Sequence, residues 1–394
     1  VTDVAERLEE LRERGLYRRL RLIDGPQGPS VTLDGRPVLL LCSNNYLGLA
    51  DRTEVREAAA AAALHWGAGS GASRLISGNM EPHRQLEERL AAFKGYEAAL
   101  LFGSGYLANT GAIAALAGRG EVVFSDELNH ASIVDGCRLS RAETFVYRHG
   151  DLEHLAWALY HVRGRPALIV TDGVFSMDGD VAPLAELLEL ARRHDARLMV
   201  DEAHATGATG PGGRGTVAAA GLSGEVDVVV GTLGKALGSY GAYVCASAET
   251  VDFLVNTARP FIFSTAPPPP AIGAALAALE VLEGEPELVD RLQANATTLR
   301  AALAAEGLDA GGSQTQIVPI AVGEAETAME LCERALARGV FAQGIRPPTV
   351  PAGSSRLRLT VMATHGREEL ARAAREIGAA AQEIGLLPSA AIAA

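Results

Sequence analysis

Hydrophobic and polar positions along the chain change period several times, and the changes outline its elements. Val1 to Gly15 alternates acids, arginines and leucines at helical spacing. Ser30 to Leu41 then reads as two short strands around Asp34-Gly35, a pair suited to the positive backbone angles of a tight hairpin. From Ala98 to about Cys245, short β-rich apolar runs alternate with helical patterns: Ala98 to Phe102, Val122 to Phe124, Thr144 to Tyr147, Leu168 to Thr171, Leu198 to Val200 and Val226 to Val230. Strands that are apolar throughout, separated by helices, predict an α/β fold with a mostly parallel sheet covered on both faces. Four prolines at Pro267 to Pro270 cannot continue a strand or a helix interior, and they introduce a helix near Ala271. Beyond them Gln316 to Val322, Val340 to Ala342 and Leu357 to Val361 read as strands among helices at Ala325 to Arg338 and Arg367 to Ile384, a smaller α/β domain. The expected organisation is an N-terminal helix and hairpin segment (1–45), a large domain (46–285) and a small C-terminal domain (286–394).

Composition narrows the function classes. The 394 residues suffice for two or three domains. With 48% hydrophobic and 21% charged residues, the chain has the balance of a folded globular protein. A formal net charge of −13 argues against a surface built for nucleic acid or anionic lipid, so any anionic ligand is held locally. Cys42, Cys137, Cys245 and Cys332 lie far apart in sequence, without the spacing of a metal knuckle or redox pair, and are expected as buried free thiols. No apolar stretch resembles a secretory signal or membrane span, and the expected location is the cytoplasm.

Five constellations could carry chemistry. Gly103-Ser104-Gly105-Tyr106-Leu107-Ala108 follows a strand and opens a helix, where free backbone N–H groups attract phosphate. It also fits a dinucleotide fingerprint or a plain tight turn. Asp201-Glu202-Ala203-His204 follows Leu198 to Val200 directly. A carboxylate there suits a protonated ring nitrogen, with His204 available to a neighbouring ring oxygen; the bland alternative is a helix cap. Gly231-Thr232-Leu233-Gly234-Lys235-Ala236-Leu237-Gly238 sets a lysine among glycines after a buried strand, where desolvation would make the amine nucleophilic, against the alternative of a solvated loop lysine. Thr232 adds a hydroxyl for phosphate. His130, in Asn129-His130-Ala131-Ser132, could stack on a flat ring, although a lone histidine is more often a cap or core residue. Arg346, Arg356 and Arg358 form a basic cluster suited to carboxylates, unless they are edge-strand arginines facing solvent. A phosphate cradle, a stacking imidazole, a carboxylate for a ring nitrogen and an amine together describe a pyridoxal phosphate site.

The runs SNNYLGL from Ser43, GSGASRLISG from Gly69, NHAS from Asn129, FSMDGD from Phe175, DEAH from Asp201 and GTLGKALG from Gly231 resemble, in order and over nearly the whole chain, the α-oxoamine synthase family of fold-type I pyridoxal phosphate enzymes. Within that family, IRPPTVP from Ile345 and SRLRLT from Ser355 are most similar to the biotin-pathway branch, which condenses L-alanine with a pimeloyl thioester on CoA or carrier protein and releases carbon dioxide and free thiol. A branch joining glycine to acetyl-CoA is the nearest alternative, and a non-catalytic pyridoxal phosphate sensor a remote one. The resemblance implies that Lys235 binds the cofactor covalently, Asp201 pairs with its ring nitrogen, His130 stacks on the ring and His204 faces its phenolic oxygen. Ser176 and Thr232 also contact the cofactor, Gly105 and Tyr106 offer N–H groups to its phosphate, and Ser264 and Thr265 reach the phosphate of a neighbouring subunit, implying a homodimer. Asn44 and Arg358 belong around the amino acid, Arg18 and Thr349 near the acyl substrate. Three positions depart from the family pattern: Asp172 in place of glutamate, Ala72 in place of a second glycine and Gly234 where serine is common.

Overall fold

The computed structural model describes residues 3–388. The chain divides into two compact units, one of residues 45–176 and 180–290, the other of residues up to Asn44, Met177–Gly179 and the chain from Arg291 onward.

The larger unit is built on a seven-stranded sheet in the order Ala98–Phe102, Ala242–Ala246, Val228–Thr232, Ala196–Asp201, Ala167–Asp172, Val122–Asp126, Glu143–Tyr147. The pairs from Val228–Thr232 to Glu143–Tyr147 are parallel, while Ala242–Ala246 runs antiparallel to both its neighbours. Alternation along each strand divides its side chains between two cores. Val123 packs with Leu168, Met199 and Val230 beneath the helix Gly105–Leu116, whereas Val122 and Phe124 pack with Ile169 and Val200 beneath the helices Leu152–His161 and Leu184–Arg193. Both faces are therefore buried, which is why these strands lack a polar alternate row. Pro269 sits in the first turn of Pro269–Gly284, where its missing N–H costs no helical hydrogen bond; that helix and the residues to Asp290 stay with this unit.

In the other unit the hairpin Ser30–Leu33/Arg36–Leu40 turns at Asp34 (φ 49°) and Gly35 (φ 79°), the left-handed pair its sequence predicts. Val340–Phe341 joins this hairpin in parallel, Val340 opposite Leu39. The expected strand Val340 to Ala342 is thus interrupted: two residues pair with the N-terminal hairpin, and Gln343–Ile345 pairs instead with Ser355–Thr360 in a second sheet that also holds Ile317–Gly323. The N-terminal segment is accordingly no separate body, because its central strand is hydrogen-bonded to C-terminal chain. The helix Val4–Glu13 buries none of its residues.

All four cysteines are free, and burial pushes the Cys42 thiol up to about 12. No helix among the described residues is long and apolar enough to cross a membrane.

Candidate active site

Parallel strands deliver their carboxyl ends to one edge of a sheet, and the chain turns there with its polar residues. In the larger unit this edge carries Asp172 and Asp201 as the last residues of two strands, His130 just beyond Val122–Asp126 and Lys235 just beyond Val228–Thr232.

Lys235 Nζ lies 2.8 Å from His204 Nε2, and His204 Nδ1 lies 2.6 Å from the hydroxyl of Tyr46. The sequence assigns Lys235 and His204 to a common ligand but does not single out Tyr46, which is fully buried. Its signal was a large aromatic in the polar SNNYLGL run, whose buried hydroxyl needs a partner. Gly231 explains why glycine precedes this loop: a Cβ there would stand 2.3 Å from the Tyr243 ring, so the strand packs flat against that tyrosine only without a side chain. Thr232 Oγ1 donates to Gly241 O at 3.1 Å and accepts from Gly234 N at 3.2 Å, fixing the turn that presents Lys235.

Asp201 is buried, and no helix follows it, so it is not a helix cap. One carboxylate oxygen accepts from Ala203 N at 2.7 Å and the other from Asn109 Nδ2 at 2.6 Å. Asn109 Nδ2 also donates to Ser132 Oγ at 2.9 Å, and Ser132 Oγ lies 2.7 Å from His130 Nδ1. A continuous chain therefore links the carboxylate to the imidazole. Asn109 was missed because it falls in an apolar helix, where nothing local marks it; among the described residues its buried Oδ1 has no hydrogen-bond partner. Partial desolvation lowers the His130 imidazole and Lys235 lowers it further, against an opposing pull from Asp201. Asp172 Oδ2 accepts the His130 backbone N–H at 2.9 Å, and burial, reinforced by Asp201, pushes the Asp172 carboxyl well above its usual range. The middle acid of the DEAH run serves the scaffold, since buried Glu202 pairs with buried Lys94 and accepts from Thr216 Oγ1 at 2.9 Å and Val217 N at 2.8 Å.

The glycine turn opens the helix Gly105–Leu116. Ser104 caps it by accepting from Leu107 N at 3.2 Å, and the N–H groups of Gly105 and Tyr106 precede the first intrahelical donors. The Tyr106 side chain turns away to Asp135. Ser176 is buried in the loop after Ala167–Asp172. Ser264 and Thr265 lie elsewhere in this unit, Thr265 bridging Ser73, beside the exposed Leu75, Ile76 and Phe263.

The four remaining residues belong to the other unit. Arg358 is buried on Ser355–Thr360, the central strand of its sheet, so the solvent-facing edge reading does not hold; neighbouring Arg356 is paired with Asp178. Arg18 and Thr349 line one cavity of about 910 Å³ together with Arg346, Met329 and Phe341, while Asn44 lies at the end of the N-terminal segment. Arg346 donates to Tyr17 O at 3.0 Å, and burial followed by Arg18 lowers its guanidinium below the usual value. Among the described residues no cluster of three or more His, Cys, Asp or Glu side chains could hold a metal ion.

The model of the family described as aminotransferase class I and II matches residues 36–377. Relatives named 8-amino-7-oxononanoate synthase include one from Geobacter sulfurreducens, 56% identical over 98% of this chain and 99% of its own, and one from Citrifermentans bemidjiense, 55% identical over 97% and 99%. A solved serine palmitoyltransferase from S. paucimobilis, bound to a pyridoxal phosphate–myriocin adduct, superimposes with a TM-score of 0.92 at 32% identity, covering 98% of both chains. The chain belongs to the aminotransferase class I and II family and, within it, to the group of 8-amino-7-oxononanoate synthases.

Proposed function

We propose that this chain is a pyridoxal phosphate-dependent 8-amino-7-oxononanoate synthase, condensing L-alanine with a pimeloyl thioester to the amino ketone, carbon dioxide and free thiol. The observation that carries the reading is the Lys235 amine held 2.8 Å from His204, on the strand edge that also carries Asp201, in a chain matching such synthases end to end. The donor set suits the cofactor: a partly buried amine for its aldehyde, a buried carboxylate for its ring nitrogen, two helix-start N–H groups for its phosphate and a buried Asn109 oxygen still lacking a partner.

When bound, the cofactor supplies an electron sink for negative charge at the substrate Cα. Asp201, oriented by Asn109 and Ala203, would keep a proton on the ring nitrogen. His130, Ser176, Thr232 and His204 would hold the bound cofactor. Lys235 Nζ, positioned by His204 Nε2, would take the Cα proton of alanine and later return one. Arg358 and Asn44 receive the amino acid, and Arg18 and Thr349 the acyl substrate.

A cytoplasmic homodimer completes this reading, with Ser264 and Thr265 serving the neighbouring subunit's phosphate; the exposed apolar side chains beside them supply a surface of the kind that subunits cover. The test is product identification by mass spectrometry with alanine or glycine and pimeloyl- or acetyl-thioesters, alongside borohydride reduction of the cofactor-loaded protein. Alanine with the pimeloyl thioester is expected to give the amino ketone, and reduction to label Lys235. An unlabelled Lys235, or a preference for glycine with acetyl-CoA, overturns the assignment.

A further inference from the structure

His149 lies outside every motif considered above, yet its ring joins two loops of the candidate site. Nδ1 lies 3.0 Å from Asp126 Oδ1 and Nε2 lies 2.8 Å from Asp180 Oδ2. Carboxylates on both ring nitrogens require both to donate, so the ring is a doubly protonated imidazolium. Its pKa agrees: Asp126 first, then Asp180, raise it from the ordinary 6.5 to about 10 against the effect of burial. Glu127 is the other acid facing it, accepting the His149 backbone N–H at 2.9 Å.

The two carboxylates organise different segments. Asp126 accepts from Leu128 N at 2.9 Å and Gly150 N at 3.0 Å, and its carbonyl accepts from Asn129 N, shaping the turn that delivers His130. Asp180 stands on the returning limb of the loop that carries Ser176: Phe175 N donates to Asp180 O at 3.0 Å, Val174 bridges Val181, and Ala182 N donates to Gly173 O. The buried Phe175 ring meets the imidazole edge-on, with centroids 4.4 Å apart. A single cation thus touches the segment before His130, the residue before Ser176 and the limb opposite it.

We propose that His149 is a positioning residue, fixing the Asp126–His130 turn against the Gly173–Ser176 and Asp180–Ala182 limbs so that His130 and Ser176 are held ready for the cofactor. The inference rests on the pyridoxal phosphate reading. Its test compares wild type with His149→Asn and His149→Phe, measuring hydrogen exchange in the apoprotein, pyridoxal phosphate affinity and the imine absorption of the loaded protein. Each variant loses at least one charge-assisted hydrogen bond, and losing one corresponds to about a tenfold effect. Both are expected to exchange faster at 126–130, 173–176 and 180–182, to bind pyridoxal phosphate at least about tenfold more weakly and to shift the imine band. Unchanged affinity and band, or a loss of affinity without faster local exchange, overturns the proposal. If a variant does not fold, Asp180→Ala cuts the same bridge at its other end and is held to the same outcomes. Absence of imine absorption from wild type as well would sink the pyridoxal phosphate reading itself, which distinguishes that failure from a failure confined to His149.

Discussion

The Lys235 amine, the His204 ring and the Tyr46 hydroxyl form a line whose ends are 189 positions apart by residue number, and each contact constrains the next. A histidine with a partner on each nitrogen is fixed in both plane and tautomer. Tyr46→Phe keeps the buried ring volume and removes the bond to Nδ1; a net hydrogen bond of about 1 kcal/mol makes the expected loss of turnover roughly fivefold to tenfold, with little change in melting temperature. Steady-state kinetics beside thermal unfolding check this, and wild-type kcat would show that the hydroxyl does not restrain His204. At this scale the sequence displayed the residues proposed to serve the cofactor, since Lys235, Asp201, His130 and His204 all stand in short runs just after apolar strands. It concealed Asn109 and His149, whose partners are set by packing and whose local surroundings carry no mark, and showed Tyr46 only as an aromatic in a polar run.

Among the elements, the helix Gly105–Leu116 joins a stabilising cap to the proposed phosphate contact. Its Ser104 cap satisfies Leu107 N and leaves Gly105 and Tyr106 N–H groups for an anion. Ser104→Ala is expected to cost about 1 kcal/mol of stability and to weaken pyridoxal phosphate binding in parallel, as read from urea unfolding and a binding titration. Stability lost with binding intact would dissociate the cap from the anion site. Most elements were legible because a strand buried on both faces is an uninterrupted apolar run. The break at Ala342 was not: Val340 to Ala342 reads as one strand, yet only Val340–Phe341 pairs with Leu39–Leu40, and the next strand, Gln343–Ile345, pairs with Arg356–Arg358 in the other sheet.

At the scale of the whole molecule, distant segments share buried polar groups. His365 accepts from Met362 N at 2.8 Å and reaches Leu40 O at 3.1 Å, tying C-terminal to N-terminal chain, and desolvation lowers its pKa from 6.5 to about 4. The folded protein then binds fewer protons at this site than the unfolded chain between those values. The stability His365 provides as a neutral ring is complete above pH 6.5 and is lost as pH falls toward 4, by up to roughly 3 kcal/mol. Denaturant unfolding from pH 7 to 4 is expected to show a shallower decline for His365→Gln than for wild type; parallel curves would place the acid sensitivity elsewhere.

The sequence by itself determined the alternation of strands and helices, the hairpin at Asp34-Gly35 and the motifs that carry Lys235, Asp201, His130 and His204, because each of these is written in neighbours only a few positions apart. The tertiary structure alone decided that the N-terminal hairpin completes its sheet with Val340–Phe341, that Arg358 is buried on a central strand while Arg356 is paired with Asp178, and that Glu202 supports the site through Lys94. Those outcomes depend on which buried donor meets which buried acceptor after the chain has packed, a choice that local periodicity does not encode.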